Sequence, residues 1–197
     1  AVTVAAPIEM GVWYTARWLN PSQFVSRRDI AGWALFCSLT SWFNAYSSVR
    51  TFANCQETQS LILAIALVSP ELLGNVTARY SFLRGCLAFF LGGLGVSVRF
   101  TSVAAFVPMG IILSLRFEHI ADRLNYLFVP CALFGLAGLS VGMIVDRLMF
   151  GFWTIPFLGN FHFNVVLDYA SLYGAHPGHW YFSAGIPALS GLLLPLL

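Results

Sequence analysis

The chain has 197 residues, 58% of them hydrophobic and only 9% charged, and a formal net charge of +2. A water-soluble domain carries roughly 25% charged residues, so the composition excludes an ordinary soluble domain and indicates an integral membrane protein. All ten basic residues are Arg and none belongs to a long basic run, which leaves no surface for nucleic acid.

A membrane-spanning helix needs roughly 20 mostly apolar residues. Six spans are expected, at about 1–19 (interrupted by Pro7 and Glu9), 30–49, 59–73, 80–98, 100–115 and 126–145. The first has no basic leader and no small-residue cleavage site, so it is not read as a signal peptide. Asn20-Pro21-Ser22 marks a turn. Residues 80–115 as one helix would run roughly 54 Å against a hydrocarbon core of about 30 Å, with Arg99 in its middle. Two spans with Arg99 at the turn are expected instead. Residues 146–183 then form a long polar and aromatic loop, and a seventh span starts near Ala184. Both ends read as cut, so the chain is taken as a fragment of a longer polytopic protein: 1–145 spans and connectors, 146–183 loop, 184–197 the start of a further helix.

Alternating sides puts Arg17, Arg27, Arg28, Arg79, Arg84, Arg116 and Arg123 on one face and Arg50, Arg99 and Arg147 on the other. The excess of Arg makes the first face cytoplasmic. The long loop is then luminal if the membrane is the endoplasmic reticulum. The Asn75-Val76-Thr77 sequon falls on the cytoplasmic side and is expected to be unused. Cys37, Cys55, Cys86 and Cys131 show no metal-ligand spacing and read as free thiols in apolar surroundings.

Polar residues gather at the non-cytoplasmic ends of the spans. Arg50, Asn54 and Glu57 would share one helical face, with Arg99 at the next turn and Asp146-Arg147 at the one after. Arginine keeps its charge and offers a planar fork to phosphate oxygens. Each residue singly is explained by interfacial pairing; together they suggest a site for a phosphate whose tail lies in lipid. In the loop, His176 and His179 flank Pro177-Gly178, with Trp180 and Tyr181 following. Their spacing does not complete a zinc set, and Trp180 and Tyr181 also suit an interfacial aromatic belt. Phe150, Phe152, Trp153, Phe157, Phe161 and Phe163 read as a segment lying on the membrane surface. His162 and Asp168 are isolated. No hydrolytic acid pair, phosphate loop or nucleophile elbow occurs.

Taken together, Asp146-Arg147, Phe150-Gly151, Trp153-Thr154, Asn160-Phe161, Phe163-Asn164-Val165, Tyr173-Gly174, His176-Pro177 and His179-Trp180-Tyr181-Phe182, followed by Gly185 and Pro187, resemble one extended motif. Upstream, Arg50-Thr51, Asn54 and Glu57-Thr58 resemble its companion. The family they resemble is glycosyltransferase family 22, the dolichyl-phosphate-mannose-dependent mannosyltransferases of the endoplasmic reticulum. Two positions depart from its pattern: Phe100 stands where the family has Pro, and Gly178 where it often has Trp. The resemblance implies an all-α, polytopic GT-C fold. It also implies an inverting transfer of mannose from the lipid-linked donor to a glycosylphosphatidylinositol (GPI) anchor precursor, adding the third mannose in alpha-1,2 linkage. No metal or cofactor is implied. The general base would be an acidic residue in a luminal loop upstream of this fragment, which alone should be inactive. Arg50, Asn54, Glu57, Arg99, Asp146, Arg147, His176 and His179 would line the cavity, with Trp180 and Tyr181 beside them. The alternative acceptor is dolichol-linked oligosaccharide. A reading from another class is a transporter or lipid scramblase, against which the charges sit at the ends of spans rather than in their middles.

Overall fold

The computed structural model describes residues 2–19, 26–41, 44, 46, 53–72, 78–153, 155–169 and 177–190. Every regular element among these is helical. The helices are α1 (Val2–Leu19), α2 (Arg27–Thr40), α3 (Ala53–Leu72), α4 (Ala78–Val98), α5 (Val103–Ser114), α6 (Ile120–Phe150), α7 (Pro156–Phe161) and α8 (Ile186–Ser190). Arg50 and His176 lie outside the described residues.

Local chemistry sets several boundaries. Ser26 caps α2, its hydroxyl accepting from the Arg28 N–H at 3.2 Å, which satisfies a donor that the first turn leaves open. The helix expected over about 30–49 is not continuous: α2 stops at Thr40, and Ser41 is extended. The Thr40 hydroxyl donates back to the carbonyls of Phe36 and Cys37, a local bond that competes with helix propagation. Arg99 is extended (φ −147°) and separates α4 from a short 3₁₀ turn, Phe100–Ser102, that leads into α5.

Helix α6 is longer than the 126–145 expected from hydropathy. It is 31 residues long and apolar enough to cross a membrane, with no charged residue from Leu124 to Val145. Asp122 and Arg123 join its first turns because Arg123 Nε donates to the Phe117 carbonyl at 2.6 Å. Pro130 does not break it: Leu127–Phe134 widens into a π-helix around the ring, one of the ways a helix absorbs a lost N–H donor. The helix ends at Gly151, which is left-handed (φ 81°) and donates its N–H to the Arg147 carbonyl, a conformation glycine adopts at little cost. Asp146 and Arg147 therefore belong to the last turn of α6, not to the loop in which the sequence reading put them.

Helix α1 packs on α2 and α3, α3 on α4, and α4 on α6. The core joins Ala64 and Val68 of α3, Ala88 and Phe89 of α4, Phe106 and Leu113 of α5, and Tyr126 of α6. Tyr126 is its hub, with its ring against Phe82, Phe89 and Phe117. Helices α4 and α6 meet through their glycines: a Cβ on Gly93 would collide with the Gly135 carbonyl, and one on Gly138 with the Phe90 carbonyl. Such backbone approach is the usual basis of tight helix pairs in membranes. The outward face of α6 exposes Leu133, Val141, Ile144 and Leu148, an apolar strip suited to hydrocarbon or to further protein.

Candidate functional site

The Arg99 break places a polar group at one end of the bundle. Glu57 lies in the second turn of α3, beside the Arg99–Ser102 turn. Its Oε1 accepts from Thr101 Oγ1 at 2.8 Å and from Ser102 Oγ at 3.1 Å. Its Oε2 lies 3.4 Å from Arg99 Nε. The turn itself is closed by the Ser102 N–H donating to the Arg99 carbonyl. One carboxylate thus takes two hydroxyl donors and a guanidinium, and its side chain keeps only 22% exposure against 36% for Arg99. The contact runs through Nε. The opposite edge of the guanidinium, with its two Nη groups, is the part that can meet an anion bidentately.

Helix α6 brings a second pair to the same end. Gly142 packs against Ser97, so Asp146, one turn farther on, comes level with the 99–102 turn. Asp146 and Arg147 are half-buried, and the Arg147 guanidinium lies 6.0 Å from the centre of the Trp153 ring, within cation–π range. The following segment returns to the turn: Pro156 opens α7 at a position where its missing N–H costs nothing. Phe161 then meets Phe100 edge-on at 5.8 Å. The residue after Arg99 is thereby tied to the long loop.

The structure brings Glu57 and Arg99 into contact and sets Asp146 and Arg147 at the same end. Asn54 is exposed, one turn before Glu57, and its carbonyl accepts from Thr58. His179 is exposed and serves locally, its carbonyl accepting from the Ser183 hydroxyl and from the Phe182 and Ser183 N–H groups. Trp180 and Tyr181 meet edge-on at 5.6 Å. No hydrogen bond or ion pair joins His179 to the Glu57–Arg99 group among the described residues. Among these residues, no three His, Cys, Asp or Glu side chains converge as metal ligands would.

Sequence reasoning missed Thr101 and Ser102, the hydroxyls that fix Glu57; their place right after the interrupting Arg99 was the available signal. It also missed Glu9. The Glu9 Oε1 accepts from Ser38 at 3.0 Å, and the Asn44 amide reaches Ser38 Oγ at 3.2 Å. A lone acid in an apolar span was the signal there.

Two cavities flank α4. One, about 480 Å³, lies between α4, α5 and α6; its walls are hydrocarbon, glycine and the Cys131 thiol, and Val96 and Val103 bring it to the end of the bundle that holds Arg99. The other, about 990 Å³, lies between α1, α2, α3 and α4 and holds Glu9 and Arg84 in an otherwise mainly apolar wall.

The chain is 35% identical over 172 residues to GPI alpha-1,2-mannosyltransferase 3 of Bos taurus, covering 87% of this chain and 30% of the relative. It is 33% identical over 178 residues to the Homo sapiens protein of that name, covering 87% and 29%. It is 30% identical over 195 residues to GPI mannosyltransferase 3 of Schizosaccharomyces pombe, covering 85% and 37%. The chain thus spans about a third of the length of these curated relatives. No solved structure matches it. The sequence profile of the Alg9-like mannosyltransferase family matches residues 8–197, and on that near-complete match the chain belongs to the Alg9-like mannosyltransferase family.

Proposed function

We propose that the protein containing this chain transfers mannose from dolichyl-phosphate mannose to a GPI-anchor precursor in the endoplasmic reticulum membrane, forming an alpha-1,2 link. The observation that carries this reading is the Glu57–Arg99 group at the end of the bundle where Val96 and Val103 line a mainly apolar cavity. A cation fixed at the end of the bundle suits a phosphate, and the hydrocarbon walls below suit the isoprenoid chain attached to it. The names of the relatives supply the sugar, the acceptor and the linkage.

In this reading the helices cross the membrane in a GT-C arrangement and the Arg99 end faces the lumen, as the positive-inside count suggests. The acceptor hydroxyl oxygen attacks the anomeric carbon of mannose. The bond from that carbon to the phosphate oxygen breaks, and the electron pair leaves with dolichyl phosphate. Arg99 stabilises the charge that grows on the phosphate, a fixed cation being most effective where water is sparse. Glu57 orients the guanidinium through Nε and is itself held by Thr101 and Ser102. Arg147, on the neighbouring helix end, is placed to contact the same phosphate or the sugar. The hydroxyl proton goes to a general base in the part of the protein beyond this chain.

Complementation tests the reading. The full-length protein, expressed in cells that lack the third GPI mannose, is expected to restore surface GPI-anchored proteins, with loss on Arg99→Ala. Repair of dolichol-linked oligosaccharides without GPI rescue would move the acceptor assignment. Lipid movement without any mannosyl transfer would overturn the enzyme reading.

A further inference from the structure

A transferase of this kind must hold two lipid-linked substrates over one polar centre, and the structure has two cavities on opposite flanks of α4. They differ in chemistry. The cavity at the Arg99 end is lined by no charged, amide or hydroxyl side chain. The larger one carries Glu9 in its wall, with Trp13, Leu39, Leu63 and Leu91 around it. Glu9 Oε1 is satisfied by Ser38, but Oε2 is buried and has no hydrogen-bond partner. A buried acceptor left without a donor is costly, so the cavity is chemically incomplete at this point.

Helix register gives the depth. Gly11 of α1 lies against Ile62 of α3, and Gly95 of α4 against Ser60 of α3. Glu9 is therefore near the level of Ser60, about 4.5 Å, a little under one helical turn, below Glu57. Arg84 closes the far end, about 16 Å farther along α4. A lipid seated here presents its head group within a turn of the Glu57–Arg99 group, from the side opposite the first cavity. An isoprenoid chain has no donor to offer Glu9. The inositol of a GPI precursor, rich in hydroxyls and joined to its lipid through a single phosphodiester, does.

We infer that the 990 Å³ cavity seats the lipid end of the acceptor glycolipid, with Glu9 Oε2 accepting a hydrogen bond from a hydroxyl at the junction of head group and tail. This assignment rests on the proposed GPI mannosyltransferase activity.

The test uses the full-length protein in detergent–lipid micelles, with a synthetic GPI-precursor glycolipid as acceptor and its mannosyl-glucosamine glycan, lacking both inositol and lipid, for comparison. Ala6 is exposed and lines the cavity, so Ala6→Trp fills the space without disturbing the core; Glu9→Leu removes the acceptor oxygen. Both substitutions are expected to raise KM for the glycolipid about tenfold, with KM for the lipid-free glycan and for dolichyl-phosphate mannose within twofold of wild type. A rise in donor KM instead would assign the cavity to the donor. Unmoved KM values with normal thermal stability would mean a bystander lipid, and unmoved KM values with lowered stability would mean that another helix of the protein fills the space. Each of these three results overturns the inference while leaving the activity intact. Wild-type protein that transfers no mannose to the glycolipid would overturn the functional reading, and the inference with it.

Discussion

Replacing Glu57 separates positioning from simple folding support. Glu57→Ala removes one carboxylate that accepts two hydroxyl hydrogen bonds, at 2.8 and 3.1 Å, and faces Arg99 at 3.4 Å. A hydrogen bond to a charged group contributes about 1.5–3 kcal/mol when well shielded. An exposed ion pair contributes about 0.2–1 kcal/mol. The side chains are 22% and 36% exposed, so values near the low end apply, and the truncation should cost about 2–4 kcal/mol. Glu57→Gln keeps an oxygen for Thr101 and Ser102 but loses the charge that holds Arg99, costing about 1 kcal/mol. If Glu57 acts by aiming Arg99 at the phosphate, Glu57→Gln should lower mannosyl transfer about five- to tenfold while thermal stability stays close to wild type. Glu57→Ala should lower both. The assay is transfer from labelled dolichyl-phosphate mannose by full-length protein, with the melting temperature of each variant. The double mutant Glu57→Gln/Arg99→Gln should be little worse than Arg99→Gln alone, because the two residues share one task. Wild-type transfer by Glu57→Gln, or fully additive losses in the double mutant, would refute the positioning argument.

Two further outcomes follow from the geometry, and a third from the distribution of arginine along the sequence. Gly138→Val drives a side chain into the Phe90 carbonyl and should destabilise the α4–α6 pair by about 1–3 kcal/mol, read as a lower melting temperature and reduced monodisperse protein; unchanged behaviour would mean that the helices are not so close. Phe161→Ala removes the ring that sits edge-on to Phe100, an aromatic pair of about 0.5–1.5 kcal/mol beyond its buried area; transfer should fall two- to tenfold with donor KM affected first, and full activity would show that the loop does not support the Arg99 turn. Asn75 should carry no glycan in cells, checked by glycosidase treatment of the full-length protein; a glycan there would invert the orientation or change the number of spans.

Much of this was legible where length and charge act together. The break at Arg99 could be expected because 36 residues are too many for one crossing and because Arg resists the middle of an apolar helix. Long-range pairing was less accessible. Glu57 and Arg99 stand 42 residues apart, and only the return of α4 alongside α3 puts them in contact. The hydroxyls of Thr101 and Ser102 became ligands of Glu57 because the 3₁₀ turn presents both to it. Hydropathy misplaced the ends of α6 because it treats charged residues as connectors, whereas Asp122, Arg123, Asp146 and Arg147 lie at helix ends and remain helical. Glu9 looked like an interruption because its partner, Ser38, belongs to the next helix.

The widened turn around Pro130 bears on which sequence changes this protein can tolerate. An α-helix advances about 100° per residue, and a π segment holds one residue more than the same stretch of α-helix would. Deleting Pro130 would remove that extra residue and let the segment relax to regular helix, with the helix beyond it kept in nearly the same rotational phase. Gly135, Gly138 and Gly142 would still face α4, and Asp146 and Arg147 would stay at the polar end. Deleting one residue from the regular helix between Gly135 and Val145 would instead swing Asp146 and Arg147 by roughly 100°. The widened octet is therefore a buffer for residue number, and a one-residue deletion there should be less damaging than the same deletion in the regular helix that follows.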